Sequence, residues 1–191
     1  MASVCVFCGS SPGGDRRFRA VAHELGESIA RSDHRLVYGG GHVGLMGVVA
    51  DAALAAGGDV TGVMTEHLVS AEVAHDGLTV LEVVPDMHTR KARMAELSDG
   101  VIVLPGGFGT MDEAFEILTW NQLGLVAMPV VFLDVEDFFG PLLAFVDGAV
   151  SGRFISESHR ALATRTADIE SAIALASAPA PPFSPKWISR T

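Results

Sequence analysis

Leu36-Val37-Tyr38-Gly39-Gly40-Gly41-His42-Val43-Gly44-Leu45-Met46-Gly47 passes from a short apolar run through a cluster of glycines into a stretch of helical period. An apolar run of this length, stopped by glycine, reads as a buried strand, and the residues after it read as a helix. Outward from this stretch the same alternation recurs. Strand candidates are Val4–Cys8, Leu36–Tyr38, Val60–Met64, Val80–Val84, Val101–Leu104 and Val130–Leu133. Between and beyond them lie helical stretches at Arg16–Ser32, Gly44–Ala56, His88–Leu97, Thr110–Leu123, Asp137–Ala149 and Asp168–Ala176. Strands apolar on both faces, alternating with helices, predict an α/β fold with a mostly parallel sheet covered on each side. No repeat or linker interrupts the pattern, so residues 1–177 are expected to form a single domain. The APAPPFSP run from Ala178 to Pro185 is too rich in proline for either element, and residues 178–191 are expected to form an extended or disordered tail.

The chain has 191 residues, 49% of them apolar, enough for one substantial core. Its formal charge of -10 argues against nucleic acid or an anionic membrane as partner, since both are usually met by a basic face. From Leu36 to Gly152 there are sixteen Asp and Glu but only three Lys and Arg, namely Arg90, Lys91 and Arg93. An acidic chain has gathered its cations at one spot. No signal-peptide pattern opens the sequence and no apolar run approaches the length of a membrane span, so a cytoplasmic location is expected. Cys5 and Cys8 form a CxxC, but on a strand residues three apart face opposite ways, which favours structural thiols over a redox or zinc pair.

In a sheet of this kind ligands bind beyond the carboxyl ends of the strands, so three loops carry the functional signal. In the first, Gly39, Gly41 and Gly44 satisfy GxGxxG. This spacing fits a phosphate held at a helix start, or simply close packing of helix on strand. A dinucleotide fingerprint would follow the first strand and need an acidic residue closing the next, where only Glu66 stands. The second loop is Pro105-Gly106-Gly107-Phe108-Gly109-Thr110-Met111-Asp112-Glu113, where glycine amides and the Thr110 hydroxyl can surround an anion at the positive end of a helix. Without Gly-Lys-Ser/Thr it is not a triphosphatase loop. Thr110-x-x-Glu113 also reads as a capping box, yet Glu116 one turn on would set two carboxylates beside an anion site, which capping alone does not require. The third segment, Met87-His88-Thr89-Arg90-Lys91-Ala92-Arg93, holds the gathered cations. A solvated helix face is its plain alternative.

Four strings, Cys8-Gly9-Ser10-Ser11, Gly39-Gly40-Gly41 through Gly44-Leu45-Met46-Gly47, Met87-His88-Thr89-Arg90-Lys91, and Pro105-Gly106-Gly107-Phe108-Gly109-Thr110 through Glu113, together resemble the LONELY GUY family of cytokinin-activating phosphoribohydrolases. The resemblance covers roughly Val4 to Leu133. It implies a Rossmann-like three-layer domain, usually a homodimer, that hydrolyses N6-substituted adenosine 5′-monophosphate to the free base and ribose 5-phosphate with no metal or organic cofactor. It also implies that Arg90 and Glu113 are catalytic and that Glu72, Lys91, Gly107, Phe108, Gly109, Thr110, Met111, Asp112 and Thr119 contact the substrate. Ser10, Gly41, Gly44, Met87 and Glu116 are further candidates for that contact. From Phe154 onward no family signature is visible, and the histidines around Glu72, His67 and His75, lack a compact metal-ligand spacing. The label lysine decarboxylase, which members have often carried, fits poorly, because that chemistry needs a lysine bound to pyridoxal phosphate and only Lys91 and Lys186 exist.

Breaking an N-glycosidic bond puts positive charge on the ribose, which a carboxylate can stabilise while it orients water. Glu113 is assigned that role, Arg90 the support of the reacting nucleotide, and Lys91 with the Gly107–Thr110 amides the phosphate. Two other readings use the same features: a nucleotide-binding carrier or sensor without chemistry, and a dinucleotide-dependent oxidoreductase using the first glycine loop. Met46, Met87 and Leu123 suit an apolar substituent on the base, or equally the core.

Overall fold

The computed structural model describes residues 1–71 and 73–180. Glu72, and the tail from Pro181 onward, lie outside the described residues. The elements run β1 (Ser3–Phe7), α1 (Arg16–Arg31), β2 (Arg35–Tyr38), α2 (Gly44–Ala55), β3 (Val60–Thr65), α3 (Glu66–Ser70), β4 (Val80–Val84), α4 (Met87–Glu96), β5 (Gly100–Val103), α5 (Phe108–Leu123), β6 (Val130–Leu133), α6 (Gly140–Ser151), α7 (Glu157–Arg160), β7 (Ala163–Thr166) and α8 (Ile169–Ala176). The strands lie in the order β4-β3-β2-β1-β5-β6-β7, and every pairing is parallel.

Two apolar layers hold the sheet. Val4, Val6, Leu36, Tyr38, Ile102 and Leu104 face α1, α2 and α8, while Cys5, Phe7, Val37, Val63, Val101 and Val103 face α4, α5 and α6. Alternate residues of each strand thus enter opposite layers, and β3, β5 and β6 are buried along their whole length. Cys5 and Cys8 fall in different layers as free thiols, and burial pushes both well above the usual range for a thiol. No helix among the described residues is long and apolar enough to cross a membrane.

Three elements escape the hydrophobic pattern. Helices α3 and α7 are single turns, and β7, Ala163-Thr164-Arg165-Thr166, is a polar edge strand with little apolar signal. Two helix starts also move by more than one residue. Helix α6 starts at Gly140 rather than Asp137, because Glu136 and Asp137 adopt left-handed backbone at φ 56 and 58. The buried Asp134 carboxylate accepts the Phe139 amide at 2.9 Å and pairs with Arg165, fixing this loop. Helix α5 begins at Phe108, two residues before Thr110, and that shift alters the reading of Glu113 below.

Strand order reverses between β1 and β5. The loops leaving these strands meet there: the Gly9 amide donates to the Pro105 carbonyl at 3.1 Å, and the Leu45 amide at the start of α2 donates to the Gly9 carbonyl at 2.9 Å. The switch point therefore brings the starts of α2 and α5 to one crevice. At its far end α5 is locked by Asn121, which donates to the Met128 carbonyl at 2.9 Å and accepts the Met128 amide at 3.0 Å. Asn121→Ala would leave both buried backbone groups unpaired. The expected loss is about 2–4 kcal/mol in urea unfolding, since each such group costs roughly 1–3 kcal/mol.

Candidate active site

Arg90 leaves α4 and is buried, with 6% of its surface exposed. A guanidinium in such a place needs its N–H groups satisfied. Its Nε donates to the Val63 carbonyl at 2.8 Å, Nη2 to the Gly39 carbonyl at 3.0 Å and Nη1 to Glu113 Oε1 at 3.3 Å. The ends of β2 and β3 thus fix the side chain, and α5 supplies its carboxylate. Gly39 makes the geometry possible, because a Cβ there would lie 2.0 Å from Nη2.

The first glycine loop is accordingly a packing device. Gly44 has φ +63 and a Cβ on it would meet the Ser10 carbonyl carbon at 2.2 Å, while a Cβ on Gly47 would meet the His42 carbonyl oxygen at 2.0 Å. Gly41 is bridged to Ala74 across the loop that follows α3, and lies against Met46. These contacts favour the close-packing reading of GxGxxG over the dinucleotide one.

Glu113 does not cap its helix. The N-cap of α5 is Gly107, which has no side chain to offer, and Glu113 sits well inside the helix. Its carboxylate faces Arg90 instead. Burial is the main influence on this group and raises its pKa from 4.5 to about 7; the charge of Arg90 opposes that rise and the charge of Asp112 adds to it.

Lys91, next along α4, is buried as well. Its Nζ lies 3.0 Å from Asp112 Oδ2 and 3.0 Å from Glu116 Oε2. Burial alone would lower its pKa, but the hydrogen bonds with Glu116 and Asp112 outweigh burial and leave it raised. The ammonium is thus fully engaged between carboxylates. Two cations here meet three carboxylates, Asp112, Glu113 and Glu116, so the cluster becomes net negative once Glu113 ionises, where the sequence reading placed a phosphate anchor.

One turn away is the start of α5, which lacks a side-chain cap. With Gly107 as a bare N-cap, no side chain among the described residues takes the amides of Phe108, Gly109 and Thr110 at the start of a 16-residue helix. A Cβ on Gly107 or Gly109 would meet nothing within 4 Å, so the backbone is open on that side. Thr110 packs tightly on Gly106, where a Cβ would lie 2.1 Å from its hydroxyl. Beside these amides is a cavity of 240 Å³ formed by Gly9–Gly13 and Pro105–Gly107 and walled by Phe18 and Phe138. Those two rings meet edge to face at 5.8 Å, and nothing in a sequence where they stand far apart announces it.

The remaining candidates divide. Ser10 lines the cavity, and Met87 stands near Arg90 with its Sδ 4.0 Å from Nη1. Phe108 is 97% exposed at the mouth of the α5 turn. Met111 and Thr119 lie along the outer face of α5 with Asp112, Phe115 and Glu116. The Thr119 hydroxyl donates to the Phe115 carbonyl of its own helix at 2.7 Å, so it does not join the Arg90–Glu113 pair within this chain. Among the described residues no group of three or more His, Cys, Asp and Glu side chains is placed to hold a metal ion.

A family model described as "Possible lysine decarboxylase" matches residues 46–175. The chain is 49% identical over 178 residues to a cytokinin riboside 5′-monophosphate phosphoribohydrolase of Rhodococcoides fascians, a match covering 93% of this chain and 90% of that protein. It is 46% identical over 170 residues to a probable enzyme of the same name from Oryza sativa subsp. japonica, covering 89% and 75%. With its counterpart in Arabidopsis thaliana it shares 44% over 157 residues, covering 82% and 74%. Among solved structures, the molybdenum cofactor binding protein of Rippkaea orientalis aligns with a TM-score of 0.70 at 21% identity, covering 91% of this chain and 94% of that one. The molybdenum cofactor carrier protein of Chlamydomonas reinhardtii aligns at 0.67 and 24%, covering 91% and 94%. These structures share the fold.

The raised Glu113 pKa has a thermodynamic signature. Between about pH 4.5 and 7 the folded protein holds a proton that the unfolded chain releases, so this group's contribution to stability is complete below 4.5 and is lost as pH rises through 7. Glu113→Gln cannot ionise. Melting curves from pH 5 to 8 should therefore show the variant gaining on the parent by up to roughly 3 kcal/mol as pH rises. A difference independent of pH would show that Glu113 titrates normally.

Proposed function

The chain belongs to the LONELY GUY family, and on that premise we propose that it hydrolyses the N-glycosidic bond of an adenosine 5′-monophosphate, with or without an N6 substituent. Water is consumed, and the free base and ribose 5-phosphate are released. The observation that carries this reading is a carboxylate, Glu113, held by an immobile arginine one and a half turns from an uncapped helix start.

The two halves of the site suit the two ends of the substrate. The 5′-phosphate takes the Phe108, Gly109 and Thr110 amides, with the Ser10 loop closing the cavity beside them. That places the ribose over the acidic cluster. As the bond to the base lengthens, C1′ and the ring oxygen become positive, and a net negative cluster stabilises them. Glu113, with its pKa near neutrality, also accepts a proton from the attacking water. Arg90 cannot swing, since Val63 and Gly39 hold two of its three nitrogens. It sets the Glu113 carboxylate and offers its remaining N–H groups to the nucleotide. Lys91, held between Asp112 and Glu116, joins α4 to α5 and fixes the cluster, a role we prefer to direct phosphate binding. Met87 is half exposed beside Arg90 and suits the base or its N6 substituent.

Two further parts of the reading are proposals of the same kind. Apolar residues lie on more than one side of α5, and Phe108 and Leu123 are exposed at its two ends, which favours a homodimer packed on this helix. A cytoplasmic location suits the expected substrate. A decarboxylase using a lysine Schiff base finds little support, because Lys91 is protonated and engaged by two carboxylates. The carrier reading explains the amide cradle but gives the buried carboxylate no task, since a negative cluster weakens the binding of an anion.

Chromatography of an incubation with AMP, and with its isopentenyl derivative, separates the readings. Free base and ribose 5-phosphate are expected, whereas a carrier returns the nucleotide intact. Glu113→Gln should lower kcat by at least about 10³-fold and Arg90→Ala by at least about 10²-fold in folded protein, the scale of losing a group that acts at the transition state. Near-normal turnover in Glu113→Gln would remove the carboxylate from the mechanism. In the parent enzyme kcat/KM should rise with pH through about 7 as Glu113 loses its proton.

A further inference from the structure

His75 follows α3 in a turn that joins no metal cluster among the described residues, yet both nitrogens of its ring are engaged and its side chain is only 11% exposed. The Gly77 amide donates to Nδ1 at 3.0 Å, which leaves the ring proton on Nε2, and Nε2 donates to Asp51 Oδ1 of α2 at 2.9 Å. The backbone amide of the same residue donates to the Gly40 carbonyl at 2.9 Å. His42 answers from the glycine loop. Its amide donates to the Val73 carbonyl at 3.1 Å, its Nδ1 donates to the Ala74 carbonyl at 3.1 Å, and between these bonds Gly41 and Ala74 form an antiparallel bridge. Residues 73–77 therefore clasp Gly40–His42, and the His75 ring anchors the clasp to α2.

What the clasp holds bears on the site. Gly39, the neighbour of Gly40, gives its carbonyl to Arg90 Nη2, and Val63 on β3 gives its carbonyl to Nε. The two backbones that supply these acceptors lie in close contact, since a Cβ on Gly62 would stand 2.7 Å from the Gly40 Cα. Three consecutive glycines are the most permissive backbone a chain can have, and Gly40 already takes φ +78. Such a segment keeps a carbonyl aimed at a guanidinium only if its neighbours restrain it. The clasp is a restraint of that kind, and Arg90 in turn meets Glu113.

We propose that His75 is a positioning residue of the site: held by Asp51 and the Gly77 amide, its ring pins the 73–77 turn onto the glycine loop and so keeps the Gly39 carbonyl on Arg90. It touches no reacting atom and acts through the arginine. When the clasp loosens, Arg90 moves more freely and Glu113 loses part of the positive charge that opposes the effect of its burial. The carboxyl then titrates at a still higher pH, and the geometry that reacts is populated less often. The effect on rate rests on the hydrolase reading above; the effect on Glu113 does not.

Two readouts test this: the titration of the Glu113 side-chain carboxyl followed by carbon NMR, and kcat and KM with AMP on the pH plateau. In folded His75→Ala the carboxyl midpoint should rise by at least about 0.5 pH units, and kcat should fall about 10-fold with KM within about twofold, because the phosphate contacts are untouched. His75→Asn places an amide oxygen near the position of Nδ1, where it accepts the Gly77 amide in the same turn, and should recover most of both losses. Should His75→Ala fail to fold, Asp51→Ala serves instead. That carboxylate is 73% exposed, and its loss should move the midpoint in the same direction and lower kcat about threefold. A parent protein that leaves AMP intact would sink the hydrolase reading, while the carboxyl titration would still decide the role of His75. An unmoved midpoint, a lower melting temperature as the sole change, a raised KM with kcat intact, or an asparagine as poor as alanine would each overturn the proposal.

Discussion

A guanidinium held by two strand-end carbonyls and one carboxylate organises this site. Arg90 is almost wholly removed from water, and an unpaired charge there would be untenable. Val63 and Gly39 satisfy it from the sheet and Glu113 from α5. Removing one partner of such a buried pair typically costs about 3–5 kcal/mol, so the arginine also secures α4 and α5 over the ends of β2 and β3. Lys91 repeats the link through Asp112 and Glu116. The space for all of this depends on a residue with no side chain, Gly39.

Charge then divides the crevice. The α4–α5 seam has more carboxylates than cations, and the start of α5 has unclaimed amides at the positive end of a helix dipole. In the proposed reaction a sugar phosphate placed across the two would meet amides at its anionic end and carboxylates where positive charge develops. Burial, against the opposing charge of Arg90, keeps Glu113 near neutrality in pKa, where a group can exchange protons at physiological pH.

Much of this was legible in the sequence, and the failures have physical causes. Strands such as Val101–Leu104 and Val130–Leu133 announce themselves because both faces are buried, whereas β7 is polar and on an edge. The lone cation cluster drew the eye to Arg90 and the family motifs to Glu113, and the fold sets the two side by side. Local pattern misled at Thr110-x-x-Glu113, which has the spacing of a capping box but begins two residues inside its helix. A count of charges along the chain also cannot see Glu116 closing on Lys91 from α5. Gly39 was visible as a glycine of a phosphate-loop pattern, but its task is clearance for an arginine fifty-one residues away, and only the fold shows that.

The most direct trial of the account is a crystal structure of Glu113→Gln bound to AMP, in which chemistry is stopped and the nucleotide stays whole. The phosphate should sit on the Phe108–Thr110 amides, with C1′ within about 4 Å of the substituted side chain and Arg90 still bonded to the Gly39 and Val63 carbonyls. A phosphate bound to Lys91 instead, or a ribose turned away from position 113, would contradict it.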